Sequence, residues 1–251
     1  MRPLILLSND DGYAAAGIRQ LADMVTDMGD VLVVAPDGGR SGCSMSFTSS
    51  VPLSLRKISG GYGLPHTEVY ACSGTPCDCI KMAMHEVLGG RSPDIVLAGI
   101  NHGDNAAVNL HYSGTMAVAI EGTLKGVPSV AFSSRKIEAQ ADFSALRPTV
   151  RRIVQKVLSQ GLPKGVCLNV NYPDAESFQG IRCCRMDMGD WVNELERRID
   201  PRGRTYYWVT GSYESHNGHD PATDTWALDH GYIAITPIQI DMTAHDFQFE
   251  V

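Results

Sequence analysis

Short apolar runs, each followed by residues at helical spacing, constrain this chain more than any other feature. Pro3–Leu7 is such a run; Ile18, Leu21, Val25 and Met28 follow at helical intervals, and Val31–Ala35, rich in β-branched residues, comes next. An apolar run without polar alternation suits a strand covered on both faces, so this is a strand-helix-strand unit. The pattern then repeats. A helical stripe of Ile80, Ala83, Met84, Val87 and Leu88 leads to the run Asp94–Ile100, then to a helix over Met116–Leu124, the strand Val127–Phe132, a helix over Arg151–Leu158 and the strand Val166–Val170. Strands alternating with helices predict an α/β fold with a mostly parallel, helix-covered sheet.

From about Cys183 the texture changes to alternating polar and aromatic residues. Asp200-Pro201-Arg202-Gly203 ahead of Tyr206-Tyr207-Trp208 predicts a β-hairpin. Ser212–Thr225, rich in His, Asn, Gly and Asp, predicts a loop, and Tyr232–Ile240 a strand that Pro237 assigns to a sheet edge. The chain thus divides into an α/β segment, 1–182, and a β-rich extension, 183–251, whose final strand returns to the core.

Charge and cysteine usage narrow the function classes. A formal net charge of -7 argues against stable nucleic-acid binding, which needs clustered Lys and Arg. A small anionic substrate stays possible if metal ions and helix amino termini compensate it locally. Leu4–Leu7 is too short for a secretory or membrane-spanning segment, so no membrane partner and a cytoplasmic location are expected. Seven scattered cysteines read as reduced thiols, and Cys72, Cys77 and Cys79 lack the paired spacing of a zinc site.

Ligands of open parallel sheets gather outside the carboxyl ends of the strands. Asp10-Asp11-Gly12, Asp37–Gly42, Asn101–Asn105 and Ser133-Ser134 occupy those places. Two adjacent carboxylates leaving a buried strand repel one another unless a cation lies close, and carboxylates with Ser and Asn oxygens suit Mg²⁺ or Mn²⁺. A solvated turn or helix cap is the bland alternative for such a pair. Ser73-Gly74-Thr75 and Ser113-Gly114-Thr115 both stand at the start of a helix, where backbone N–H groups and the macrodipole favour a phosphate. Either segment also serves simply as a cap. Gly38–Gly42 has neither the Lys nor the spacing of a P-loop, no G-x-G-x-x-G follows the first strand, and His85-Glu86 has Gly89 where a zinc protease needs its second His.

Ile5–Gly12, Val34–Asp37 with Arg40-Ser41-Gly42, Gly74-Thr75-Pro76 with Asp78, Gly99-Ile100-Asn101 and Tyr112–Thr115 resemble the SurE (survival protein E) family of 5′/3′-nucleotidases. Asp200–Gly203, Tyr206–Trp208 and Thr223–Leu228 carry the likeness over nearly the whole chain. The resemblance implies a Rossmann-like three-layer core with a projecting carboxyl-terminal hairpin that joins subunits into homodimers or homotetramers. It implies one divalent cation per subunit, Mg²⁺ or Mn²⁺, on Asp10, Asp11, Ser41 and Asn101. It places Ser113, Gly114 and Thr115 beside the substrate phosphate, with Asn9, Gly74 and Thr75 lining the same pocket. The implied reaction is hydrolysis of nucleoside 5′- and 3′-monophosphates by metal-activated water, Asp10 and Asp11 assisting its deprotonation. His102 stands where the family carries smaller residues and is a candidate acid or base. A covalent aspartyl phosphate, a binding module without turnover and a metal-dependent glycosyltransferase are the competing readings. The last usually spaces its acids as D-x-D.

Overall fold

The computed structural model describes residues 2–249; residues 1, 250 and 251, the outer ends of the two segments above, lie outside the described residues. In chain order the elements are β1 (Leu4–Ser8), α1 (Ala16–Val25), β2 (Asp30–Pro36), β3 (Leu55–Lys57), β4 (Thr67–Cys72), α2 (Pro76–Met82), β5 (Ile95–His102), α3 (Gly114–Leu124), β6 (Ser129–Ser134), α4 (Arg147–Gln160), β7 (Val166–Tyr172), β8 (Gly180–Cys183), β9 (Gly189–Val192), β10 (Leu195–Ile199), β11 (Thr205–Val209), β12 (Ser212–Ser215), α5 (Asp224–Asp229) and β13 (Tyr232–Gln239). A nine-stranded sheet in the order β3-β4-β2-β1-β5-β6-β7-β13-β8 forms the centre. β4-β2-β1-β5-β6-β7 is parallel throughout, and β3 and β13 pair antiparallel with β4 and β7.

Alternation along the strands builds three layers. Ile5, Leu7, Val31 and Val33 pack against α1 through Ile18, Leu21 and Val25 and against α4 through Val150, Ile153 and Val154. Leu4, Leu6, Leu32 and Val34 face the other way, onto Cys79 and Ile80 of α2 and Met116, Val118 and Ala119 of α3. All of β1 is therefore buried, as its continuous apolar run predicted.

The predicted strands and helices of the first two-thirds are present, with ends displaced by a few residues. The Ile80–Leu88 helix begins earlier, at Pro76, and passes into one π turn over Ala83–Val87. β3 and β4 were not anticipated, because Thr67–Cys72 mixes polar and apolar residues and is only partly buried. Ser212–Thr225 is not wholly a loop: Ser212–Ser215 pairs with β9, and α5 starts at Asp224. β13 is not simply an edge strand. Ala234 and Ile235 are flanked by both β7 and β8, whereas Thr236–Gln239 has only β7, so Pro237 falls where β8 has ended and no donor is required.

Candidate active site

From β1 the chain proceeds to β2 and β4, and from β5 to β6 and β7, on opposite sides of the β1/β5 pair. The carboxyl ends of β1 and β5 are thus the switch point of the sheet, where a crevice opens. Asp10 and Asp11 leave β1 there, and Asn101 stands near the end of β5.

The Asp10-Asp11 turn is held from several directions. Asn9, fully buried, uses its amide on both backbone groups of Gly12, its Nδ2 donating to the carbonyl and its Oδ1 accepting from the N–H, each at 3.1 Å. The Arg40 N–H donates to the Asp10 carbonyl at 2.6 Å, while its guanidinium donates to the Ser73 carbonyl at 3.0 Å and the Gly74 carbonyl at 3.4 Å. Arg40 therefore ties three strand-end loops together. A Cβ on Gly114 would lie 2.6 Å from the Asp10 Cβ, so only glycine lets the start of α3 approach the carboxylate this closely.

Asp10 is 4% exposed, and its Oδ1 accepts the Thr115 hydroxyl at 2.5 Å. Burial raises its pKa, opposed by the Thr115 hydroxyl and the backbone groups at Gly114 and Thr115. The same Thr115 oxygen lies 3.4 Å from the Asn101 Oδ1, which brings Asn101 to the same place. The Asn101 Nδ2 donates to the Gly103 carbonyl at 2.8 Å, leaving the amide oxygen turned toward Thr115. Asp11 is pushed up to about 6, first by burial and then by the Asp10 carboxylate, with His102 acting in the opposite sense. Its Oδ2 is buried with no hydrogen-bond partner.

That orphaned carboxylate oxygen fits a divalent cation. The donor set is all oxygen, as Mg²⁺ and Mn²⁺ prefer, and a positive charge would relieve both raised carboxylates. Among the described residues no three His, Cys, Asp or Glu side chains converge as a ready-made metal cluster, so the set rests on two carboxylates with neutral oxygens.

A cavity of about 290 Å³ is lined by Asp10, Ser41, Asn101 and Ser113 together with His102 and Asn105. Ser41 is exposed, and Ser113 caps α3 by accepting the Met116 N–H at 3.0 Å. Thr115 is fully buried with its proton on Asp10. Gly74 and Thr75 stand apart from this lining. Thr75 and Asp78 form a reciprocal capping box at α2, the Asp78 carboxylate also accepting from the Thr48 N–H at 3.0 Å and hydroxyl at 2.6 Å. The two Ser-Gly-Thr segments therefore differ: the second borders the cavity through Ser113, and the first is tied to the Asp10 backbone through Arg40. His102 places its Nδ1 2.9 Å from the Glu138 carbonyl and its ring edge-on to Phe143. A separate cavity of about 500 Å³, bordered by Asp30, His66 and Arg91, opens at the amino ends of the strands, away from all these residues.

Several lining residues have no role assigned from the sequence, although Asn105 and Tyr112 fall within segments it singles out. Asn105 sits in a buried amide network, donating to Ser133 Oγ at 2.8 Å and accepting from Asn169 at its carbonyl at 2.8 Å, while Asn171 accepts its N–H at 2.8 Å. Tyr112, Asn109 and Trp191 border the same cavity. Trp191 lies on β9 in the extension, and no motif spacing links it to residue 10. Only its place opposite the segment Ala107–Tyr112 brings it there, and that segment is itself fixed by Asp224, whose buried carboxylate accepts the Ala107 N–H at 3.1 Å.

Known proteins are similar to this chain over most or all of its length. The family model described as survival protein SurE matches residues 5–193. A 5′-nucleotidase SurE of Phocaeicola vulgatus is 50% identical over 100% of this chain and 96% of that protein. One from Vibrio cholerae is 39% identical over 96% of this chain and 93% of that protein. The crystal structure of a SurE protein from Aquifex aeolicus superposes with a TM-score of 0.83 at 36% identity, over 97% of this chain and 96% of that one. With the family model matching well over half its length and full-length relatives at such identity, this chain belongs to the SurE family.

Proposed function

We propose that this chain hydrolyses nucleoside 5′- and 3′-monophosphates to nucleoside and phosphate, with one Mg²⁺ or Mn²⁺ per subunit held by Asp10, Asp11, Ser41 and Asn101. The observation that carries this is the partnerless, buried Oδ2 of Asp11 beside a second buried carboxylate at the switch point of the sheet. The relatives named 5′-nucleotidase support the reaction. When bound, such a cation neutralises phosphoryl oxygens and makes a water more acidic.

The chain's own residues hold the geometry for that chemistry. Asn9 and Arg40 clamp the backbone on either side of Asp10, and Thr115 orients its carboxylate. Ser113 accepts from Met116, which leaves its hydroxyl proton for a phosphate oxygen in the cavity, with the amino terminus of α3 adding its partial positive charge. Asp10 or Asp11, ionised once the cation relieves the pair, is placed to accept the proton of the attacking water.

The β10–β11 hairpin carries a second proposal, that two or four copies associate through it. Every residue of both strands is exposed, including Leu195, Ile199, Tyr207 and Trp208. A lone two-stranded ribbon is marginal in water, and an apolar surface of this kind calls for cover by another copy. A cytoplasmic site of action is supported by seven unbridged cysteines. Among the described residues no helix is long and apolar enough to cross a membrane.

The deciding experiment is phosphate release from 5′-AMP and 3′-AMP by chelated protein with Mg²⁺ or Mn²⁺ restored. Turnover returning with the metal is the expected result. No release from either nucleotide with either metal would sink the proposal.

A further inference from the structure

Of the proposed ligands, Ser41 alone stands well past a strand end, on the loop that follows β2 at Pro36. It occupies the second position of a β-turn closed by the Cys43 N–H on the Arg40 carbonyl at 3.3 Å, with Gly42 in the third place at a φ of +75°. An exposed hydroxyl on such a turn is placed by whatever holds the two ends of the turn.

One end is fixed by the Arg40 N–H on the Asp10 carbonyl at 2.6 Å. Ser44 fixes the other. Its N–H donates to the Tyr112 carbonyl at 3.1 Å and its hydroxyl to the His111 carbonyl at 2.6 Å, so one residue engages two consecutive carbonyls of the segment Ala107–Tyr112. It does so at a φ of +50°, a left-handed conformation that a serine adopts rarely and that persists only where the surroundings over-determine it. Tyr112 leads directly into Ser113, the cap of α3 and a hydroxyl on the cavity wall. Ser44 thereby joins the wall that carries Ser41 to the wall that carries Ser113. The next anchor along the loop is Thr48, whose hydroxyl donates to the Asp78 carboxylate at 2.6 Å; it lies on α2 and leaves the spacing of those two walls to Ser44.

We infer that Ser44 is a positioning residue for the cation: its two bonds hold the Arg40–Cys43 turn at the cavity wall and so set the distance of the Ser41 hydroxyl from the carboxylate pair. This rests on the metal reading above. Ser44 acts through Ser41, so once the Ser41 hydroxyl is removed Ser44 has no ligand left to place. A merely structural serine would weaken the site by the same factor whether or not Ser41 is present, because independent effects add.

The test measures the Kd of Mn²⁺ for the chelated, substrate-free, full-length protein from the electron paramagnetic resonance of free Mn²⁺. The variants are Ser44→Ala and Ser44→Gly, each with and without Ser41→Ala. With Ser41 in place, either substitution is expected to raise Kd by about fivefold; in the Ser41→Ala background the further rise should stay below about twofold. Ser44→Gly relieves the left-handed strain as it removes the hydroxyl, so it keeps the test open should Ser44→Ala fold poorly. Equal effects in the two backgrounds, or none with Ser41 in place, overturn the inference and leave the cation where it is. A Kd that Ser41→Ala does not change overturns it as well, since Ser41 is then no ligand. No Mn²⁺ binding by the parent sinks the metal reading and this inference with it.

Discussion

Asp11 shows how much of the site depends on single atoms. Its carboxyl, at about 6 in the metal-free fold, is above its ordinary 3.8 because burial and the Asp10 charge both disfavour ionisation. A group raised on folding contributes stability that is present below the unfolded value and lost as pH rises through the folded one. The metal-free protein should therefore lose on the order of 1–3 kcal/mol as the pH rises from about 4 to above 6. Added Mn²⁺ should raise Tm more at about pH 7.5 than at about pH 5, where protons compete for the same oxygens; differential scanning calorimetry with and without the metal measures both effects. Asp11→Asn should lower turnover by about 100-fold or more at saturating metal while raising the metal-free Tm near neutral pH. Near-parental turnover in that variant would remove Asp11 from the ligand set. Gly114→Ala drives a Cβ onto Asp10, so phosphate release should drop by about tenfold or more while α3 keeps its cap on Ser113.

At the scale of elements, the close approach of α1 to β5 presents Asn101. A Cβ on Gly17 would fall 1.9 Å from the Ile100 carbonyl oxygen, and one on Gly99 2.2 Å from the Phe132 carbonyl oxygen. Both contacts lie where the β5–β6 register shifts between Ala98 and Asn101. Gly17→Ala should therefore destabilise the fold by about 2–3 kcal/mol, read as a lower urea midpoint, and should weaken metal binding as well. An unchanged midpoint would mean that α1 can withdraw freely. The helices and strands themselves were legible from apolar spacing, because β1, β2, β5 and β6 are covered on both faces and their sequences say so. β4 was not, since a strand next to the sheet edge needs no continuous apolar run. The carboxylate pair was legible too, through its place after β1. The separate fates of Gly74-Thr75 and Gly114-Thr115 were not, because a capping box and a cavity-lining cap look alike in one dimension.

Across the whole molecule, the extension completes the site. Asp224 accepts N–H bonds from Ala107, Asp187 and Thr225 at 3.1, 3.0 and 2.9 Å, joining the segment that carries Asn109 and Tyr112 to the strand region that carries Trp191. Asp224→Ala leaves three donors, two of them buried, without their acceptor and should cost about 3 kcal/mol by urea denaturation, with KM for 5′-AMP raised. Stability within experimental error of the parent would show that water replaces the carboxylate there. Deleting residues 195–210 should reduce the mass in solution by light scattering, and an unchanged mass would reject the hairpin as the joining element. The hairpin was legible in the sequence, but the Asp224 link was not, because residues 107, 191 and 224 belong to no common motif and meet only through folding.

The position of β13 has a consequence for synthesis. It pairs with β7 across residues 166–171, yet residues 173–231 separate the two strands in the chain. A chain emerging from the ribosome displays β1 to β7, and the carboxylate pair with them, well before Tyr232–Gln239 exists to cover the β7 edge. During that interval the edge is open to any other strand. Ribosome-stalled chains ending near residue 215, long enough to carry β7 clear of the exit tunnel while β13 is still unmade, should bind a strand-seeking chaperone, and those released after residue 240 should not.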